Sequence, residues 1–157
     1  IVETEQSASA SLKVNVQCFV DETAFAKGDG PGTVAPFCDN GFNRWGWTNE
    51  IGAGSYTWTM WAGAGQCDTS KGTDVGTVEV IYDGDEFSAV ITLRDGFIWL
   101  EQHDYAGTDM FPQQTQGRRT VNTVAPGQYY VSLPAGGGDI WTIIHAVVGM
   151  PDPDFGP

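Results

Sequence analysis

Hydrophobic and polar positions alternate along most of this chain. From Ala10 to Val20, Leu12, Val14, Val16, Cys18 and Val20 project one way, and Lys13, Asn15 and Gln17 the other. That period of two predicts a half-buried strand. Between Asp21 and Glu50 the alternation stops. Gly28, Gly30, Pro31, Gly32, Pro36 and Gly41 interrupt it, while Phe25, Phe37, Phe42, Trp45 and Trp47 punctuate it. This reads as a long, aromatic-anchored loop region with room for one short strand. Regular patterning resumes with Tyr56, Trp58 and Met60 on one strand face, then Val78, Val80 and Tyr82 on the next. Asp83-Gly84 and Asp95-Gly96 are hairpin signals, because Gly, Asn and Asp accept the positive φ of tight turns. Between them Phe87, Ala89, Ile91 and Leu93 alternate with polar and small residues, and Phe97–His103 follows. Gly107–Arg119 reads as loop, and Thr120–Val124 and Gln128–Leu133 as short strands. Ile140–Val148 is the most apolar run, as expected of a central strand buried on both faces.

No stretch keeps a helical period over three turns. About seven to nine short antiparallel strands between Gly/Pro turns predict an all-β fold, a single β-sandwich of immunoglobulin-like or jelly-roll-like type. Its bounds are 10–150, with a loose segment 1–9 before it and a Pro-rich tail 151–157 after it.

Composition narrows the partners. Twenty acidic residues face seven basic ones, giving a formal net charge of -13. Such acidity disfavours nucleic acid and anionic lipid, which attract Lys and Arg. No apolar run is long enough for a transmembrane segment. The start at Ile1 leads to the expectation of a mature chain, secreted to the cell surface or beyond.

Little assembled chemistry is legible. His103 and His145 are the only histidines. No Gly-x-Ser-x-Gly elbow accompanies them, and Glu101 and His103 would project from one strand face, where polar pairing is ordinary. Calcium is the cofactor candidate, since hard oxygen ligands are plentiful. Asp83, Asp85 and Glu86 are the ligands proposed for it, although hairpin chemistry explains them equally well. Trp45, Trp47 and Trp61 are candidates for a carbohydrate-stacking platform. Arg118-Arg119, the only basic pair, offers a contact to an acidic patch on another copy. Cys18, Cys38 and Cys67 lack a metal-ligand spacing. In an oxidising compartment one pair closes. Cys18–Cys38 is the first choice, with a loop worth roughly 3 kcal/mol, and pairing of Cys67 with either is the competing possibility.

The run Ala62-Gly63-Ala64-Gly65-Gln66-Cys67-Asp68-Thr69-Ser70-Lys71-Gly72-Thr73, then Val75-Gly76-Thr77-Val78, resembles a motif of poorly characterised secreted bacterial and archaeal β-sandwich proteins. Segments similar to Glu101–Gly107, Val124–Tyr129 and Ile143–Val148 extend the likeness from Trp45 to Val148. The resemblance implies a small extracellular β-domain and carries no catalytic residues. It also implies a cysteine at the end of the last strand as partner of the motif cysteine. Gly149 occupies that place here, which leaves Cys67 unpaired and favours Cys18–Cys38.

The reading that follows is a non-enzymatic structural subunit. It would assemble with copies of itself into a filament, tube or matrix. Leu12, Val14, Val16 and Val20 would add a strand to a neighbouring copy, helped by Arg118 and Arg119. A carbohydrate-binding module is the alternative.

Overall fold

The computed structural model describes residues 18–116, 119–122 and 124–152. Ten strands run in chain order: β1 Phe19–Lys27, β2 Val34–Pro36, β3 Trp47–Ile51, β4 Gly54–Ala62, β5 Thr73–Tyr82, β6 Phe87–Leu93, β7 Ile98–Gly107, β8 Gln113–Gln116, β9 Arg119–Asn122 and β10 Ile140–Pro151. The fold is all-β, as expected. Eight strands form one antiparallel sheet, ordered β2-β3-β10-β1-β4-β5-β6, with β7 on the other side of β10; β8 and β9 form a separate ribbon.

β10 is the organising strand, and its burial follows from its sequence. Ile140, Ile144, Ala146 and Val148 face one apolar cluster, with Trp58, Met60, Val78, Val80 and Tyr82. Ile143 and, at its margin, Trp141 face a second cluster, rich in aromatics. Both faces are covered, so the run has no polar alternation. Its central place also gives Thr142 and the neighbouring Asn49 hydrogen-bond partners. Thr142 Oγ1 donates to the Asn49 carbonyl at 3.1 Å, and Asn49 Oδ1 accepts from Gly28 N at 2.7 Å.

Three expectations need correction. First, the stretch after Asp21 is not all loop. Phe19–Lys27 is a strand between β10 and β4, in register from Phe19 opposite Pro151 to Lys27 opposite Thr59. Ala24, Phe25 and Ala26 are buried in succession because both faces of β1 are covered there. The two carboxylates Asp21 and Glu22 broke the apolar pattern that would have announced it. β2 and β3 add two more strands before Ile51. Of the strand expected over Ala10–Val20, residues 10–17, with Leu12, Val14 and Val16, lie outside the described residues. Second, Asp95-Gly96 turns the chain but makes no hairpin: β7 pairs with β10 along its length, not with β6. Third, the stretch before β10 divides differently: Gln113–Gln116 is a strand paired with β9 rather than loop, while Gln128–Leu133 forms no strand, only an isolated bridge from Val131 to Ala106. Pro151 still belongs to β10, and 153–157 lie outside the described residues.

β5 carries a conformation only glycine tolerates. Gly76 has φ of 153°, and a Cβ there would land on the Thr92 carbonyl oxygen of β6. The close strand approach beside the register shift at Met60/Trp61 depends on the missing side chain.

Candidate assembly surface

The motif Ala62–Thr73 builds a corner rather than a reaction centre. Gln66 and Cys67 both adopt positive φ, 61° and 57°, a rare state for residues with a Cβ. Asp68 then caps a short turn: its Oδ1 accepts from Ser70 N at 2.9 Å and Ser70 Oγ at 2.7 Å. These bonds hold its carboxyl below the usual range. The Lys71 ammonium reaches back to Gln66 Oε1. The corner presents Cys67 to Cys38, and these two form the disulfide, with Cα atoms 6.1 Å apart. The expected Cys18–Cys38 bridge is therefore overturned, and Cys18 is the free cysteine. Cys18 precedes β1, and its carbonyl accepts from Asp152 N at the far end of β10, so β1 itself separates it from Cys38.

The disulfide pins the 37–47 segment over the aromatic cluster. Phe25 contacts Phe37 and Trp45 edge-on, with centroids 5.6 and 5.2 Å apart, and Trp45 meets Trp47 at 5.7 Å. This packing removes Trp47 from the expected sugar platform. Trp47 is only 1% exposed, and Trp45 and Trp61 are half-buried against the same cluster. A stacking platform needs a free ring face, which Trp47 does not have. The most open tryptophan in the structure is Trp99, at 52%, flanked by exposed Ile98 and Leu100. Alternation at the start of β7 does not distinguish it, because those residues lie beyond the part of the strand that the core covers.

The histidines meet on neighbouring strands. His103 and His145 lie directly opposite in the β7–β10 register, with ring centroids 5.6 Å apart. His103 Nε2 lies 3.2 Å from Glu101 Oε2. His145 is 3% exposed among Phe25 and Tyr129, and its Nδ1 is without a hydrogen-bond partner. Burial, with smaller contributions from His103 and Arg44, pushes it down to about 4, so it is neutral at physiological pH.

The proposed calcium ligands serve a turn. Asp83 Oδ1 accepts from Asp85 N at 2.9 Å and Glu86 N at 2.7 Å, and Asp83 N donates to Glu86 O. Those backbone donors hold the Asp83 carboxyl below its ordinary value. Tyr82 pairs with Phe87, so the connection spans Asp83–Glu86 rather than a two-residue turn. Among the described residues, no three His, Cys, Asp or Glu side chains converge as a metal cluster. Arg119 lies in β9 opposite Gln116, and Arg118 lies outside the described residues. A cleft of about 220 Å³ opens beside Gly28, Asp29, Glu50 and Trp58. Its Asn49 amide and Tyr56 hydroxyl are already bonded to the backbone of Gly28 and Gly52.

What remains is a seam. β6-β5-β4-β1-β10-β7 run side by side, and the sheet curls until its end strands β6 and β7 approach each other. Among the described residues no ladder closes the gap. Gln102 Nε2 bridges it, donating to the Ala89 carbonyl at 3.0 Å. On the β6 side Phe87, Ala89, Ile91 and Leu93 pack on the core yet stay only half-buried. On the β7 side stand Leu100, 41% exposed, and Asp104. The outer edge of β7 is covered at Ala106, where Ala106 N donates to Tyr130 O and Ser132 N donates to Ala106 O. Among the described residues the 98–104 stretch has no such cover. Core surface and unpaired strand edges thus meet solvent together.

No protein-family model, no curated protein and no solved structure matches this chain. Fold and surface define it as an all-β protein with a disulfide-pinned aromatic layer and an unclosed sheet. No helix among the described residues is long and apolar enough to cross a membrane.

Proposed function

We infer that this chain is a secreted structural subunit, without catalytic activity, that assembles with copies of itself by strand addition. The observation that carries this reading is the β6/β7 seam, where two edges without a ladder among the described residues flank half-buried apolar side chains. An added strand would satisfy edge groups and cover the core at once, the two sources of affinity in β-augmentation. The segment Ala10–Gln17 has the matching pattern, with Leu12, Val14 and Val16 on one face. Donor and acceptor are different surfaces, so repeated addition is head-to-tail and builds an open filament unless the rotation closes. The disulfide suits an oxidising exterior. Trp99, exposed near the start of β7, adds to the apolar surface on that side of the seam.

Electron microscopy and analytical ultracentrifugation of the full chain test this reading. Concentration-dependent polymers are expected, and Val14→Asp should suppress them while leaving the fold intact. A chain that stays monomeric at millimolar concentration would overturn it, as would polymers unaffected by Val14→Asp.

A further inference from the structure

We propose that Asp104 makes assembly through the β6/β7 seam proton-coupled: the incoming strand covers this carboxyl with apolar side chains, and each addition takes up one proton there. The inference rests on the strand-addition reading and specifies how that same site is regulated.

Asp104 occupies an unusual place for a carboxylate. It shares the core-facing side of β7 with Gln102 and Ala106, and its register partner on β10 is Ile144, a fully buried core residue. Its bonding partner is the Gln102 amide, whose Nε2 lies 3.0 Å from Oδ2 and 3.3 Å from Oδ1. That same nitrogen spans the seam to Ala89 O, so the carboxyl sits where the gap is narrowest in hydrogen-bonding terms.

Among the described residues, the groups facing it supply no compensating cation. β6 turns Phe87, Ala89, Ile91 and Leu93 inward, none of them titratable. β10 contributes Ile144, Ala146 and Val148 on that side. The covering segment brings Val131 and Leu133, while the Tyr130 hydroxyl donates to Gln113 O. His103, adjacent in sequence, projects from the opposite face with Glu101, and its influence is minor. Burial dominates and pushes Asp104 up to about 6.

A strand entering the seam removes the remaining water. With Leu12, Val14 and Val16 turned to the core, Lys13 points the other way and cannot neutralise the carboxyl. Desolvation penalises the charged form, so the assembled state binds the proton more tightly than the free subunit. The sign follows from linkage: the state holding more protons is favoured as pH falls. Above pH 6 the equilibrium for addition should weaken about tenfold per pH unit, the slope of one proton per step.

The critical concentration for polymerisation would be measured by sedimentation between pH 6 and 8 in high salt. Salt screens the general repulsion between acidic copies. The full chain, Asp104→Asn and Glu79→Gln would be compared. Glu79→Gln removes the same charge from an exposed position on β5. We expect the full chain and Glu79→Gln to rise in parallel, about tenfold per unit, and Asp104→Asn to stay flat. Direct proton uptake, read as a pH rise during assembly in unbuffered salt, is expected at one per subunit and absent in Asp104→Asn. Equal slopes for Asp104→Asn and wild type would overturn the proposal while leaving strand addition standing. So would assembly favoured at high pH, the result if Lys13 reached the carboxylate, or a folded Asp104→Asn that assembles at no pH. Failure of the wild-type chain to assemble at any pH would instead remove the strand-addition reading and this proposal with it.

Discussion

Loss of the Cys38–Cys67 disulfide should cost this domain much of its stability. The bridge closes a loop of sequence separation 29, and the chain-entropy estimate for that length is roughly 3.6 kcal/mol at 25 °C. The perturbation is the pair Cys38→Ser and Cys67→Ser, made together so that no thiol is left to exchange with Cys18. The true cost includes a second contribution, because the bridge holds the 37–47 segment over Phe25 and Trp47. Urea unfolding followed by tryptophan fluorescence is the assay. With a slope near 2 kcal/mol/M, the midpoint should fall by about 1.8 M. Cys18→Ser, at a half-buried site outside the bridge, should leave the midpoint within about 0.3 M, as ordinary surface changes do. Mass spectrometry of a non-reduced digest should join the Cys38 and Cys67 peptides. A Cys18–Cys38 peptide, or a double variant as stable as wild type, would refute the reasoning.

Other outcomes follow from single residues. Gly76→Ala should destabilise by about 3 kcal/mol or more, because the methyl group meets the Thr92 carbonyl, whereas Gly127→Ala, with open space around it, should be near neutral by thermal denaturation. Trp47→Ala should cost about 3–5 kcal/mol as a core truncation, while Trp99→Ala should barely change folding stability. His145 is neutral when folded and titrates near 6.5 when unfolded, so its contribution is present above pH 6.5 and lost as pH falls to about 4. The loss should reach about 3 kcal/mol and be absent in His145→Leu. Asp104 acts in the opposite sense: with its folded value raised to about 6, acidification from pH 6 towards 4 stabilises the fold. The difference between wild type and His145→Leu at each pH isolates the histidine.

Legibility varied along the chain for physical reasons. Tyr56, Trp58 and Met60 share a face as expected, and Phe87, Ala89, Ile91 and Leu93 point inward as expected. In each case a half-covered strand imposes a period of two on its own residues. β1 escaped because Ala24, Phe25 and Ala26 are covered on both faces, which erases the period, while Asp21 and Glu22 mimic a loop. The seam escaped for another reason. Asp95-Gly96 carries the chemistry of a reversal and does reverse the chain, but a turn sets direction and not partner. The exposed Trp99 escaped because exposure depends on what covers a strand end. Gln102 and Asp104 read as ordinary polar strand residues, and only their position facing the core gives them significance.

From its alternation and turn chemistry alone, this sequence determined that the protein is all-β, that Ile140–Val148 lies at its centre, and which side chains of β4, β5 and β6 face inward. Those properties depend on neighbours one or two residues away. The tertiary structure alone decided that Cys67 and not Cys18 bonds Cys38, that β7 joins β10 and leaves β6 paired with β5 alone among the described strands, and that Trp47 is core while Trp99 is surface. Each of these is a choice of partner between segments distant in sequence, set by which apolar faces can be covered together, and no local pattern encodes it.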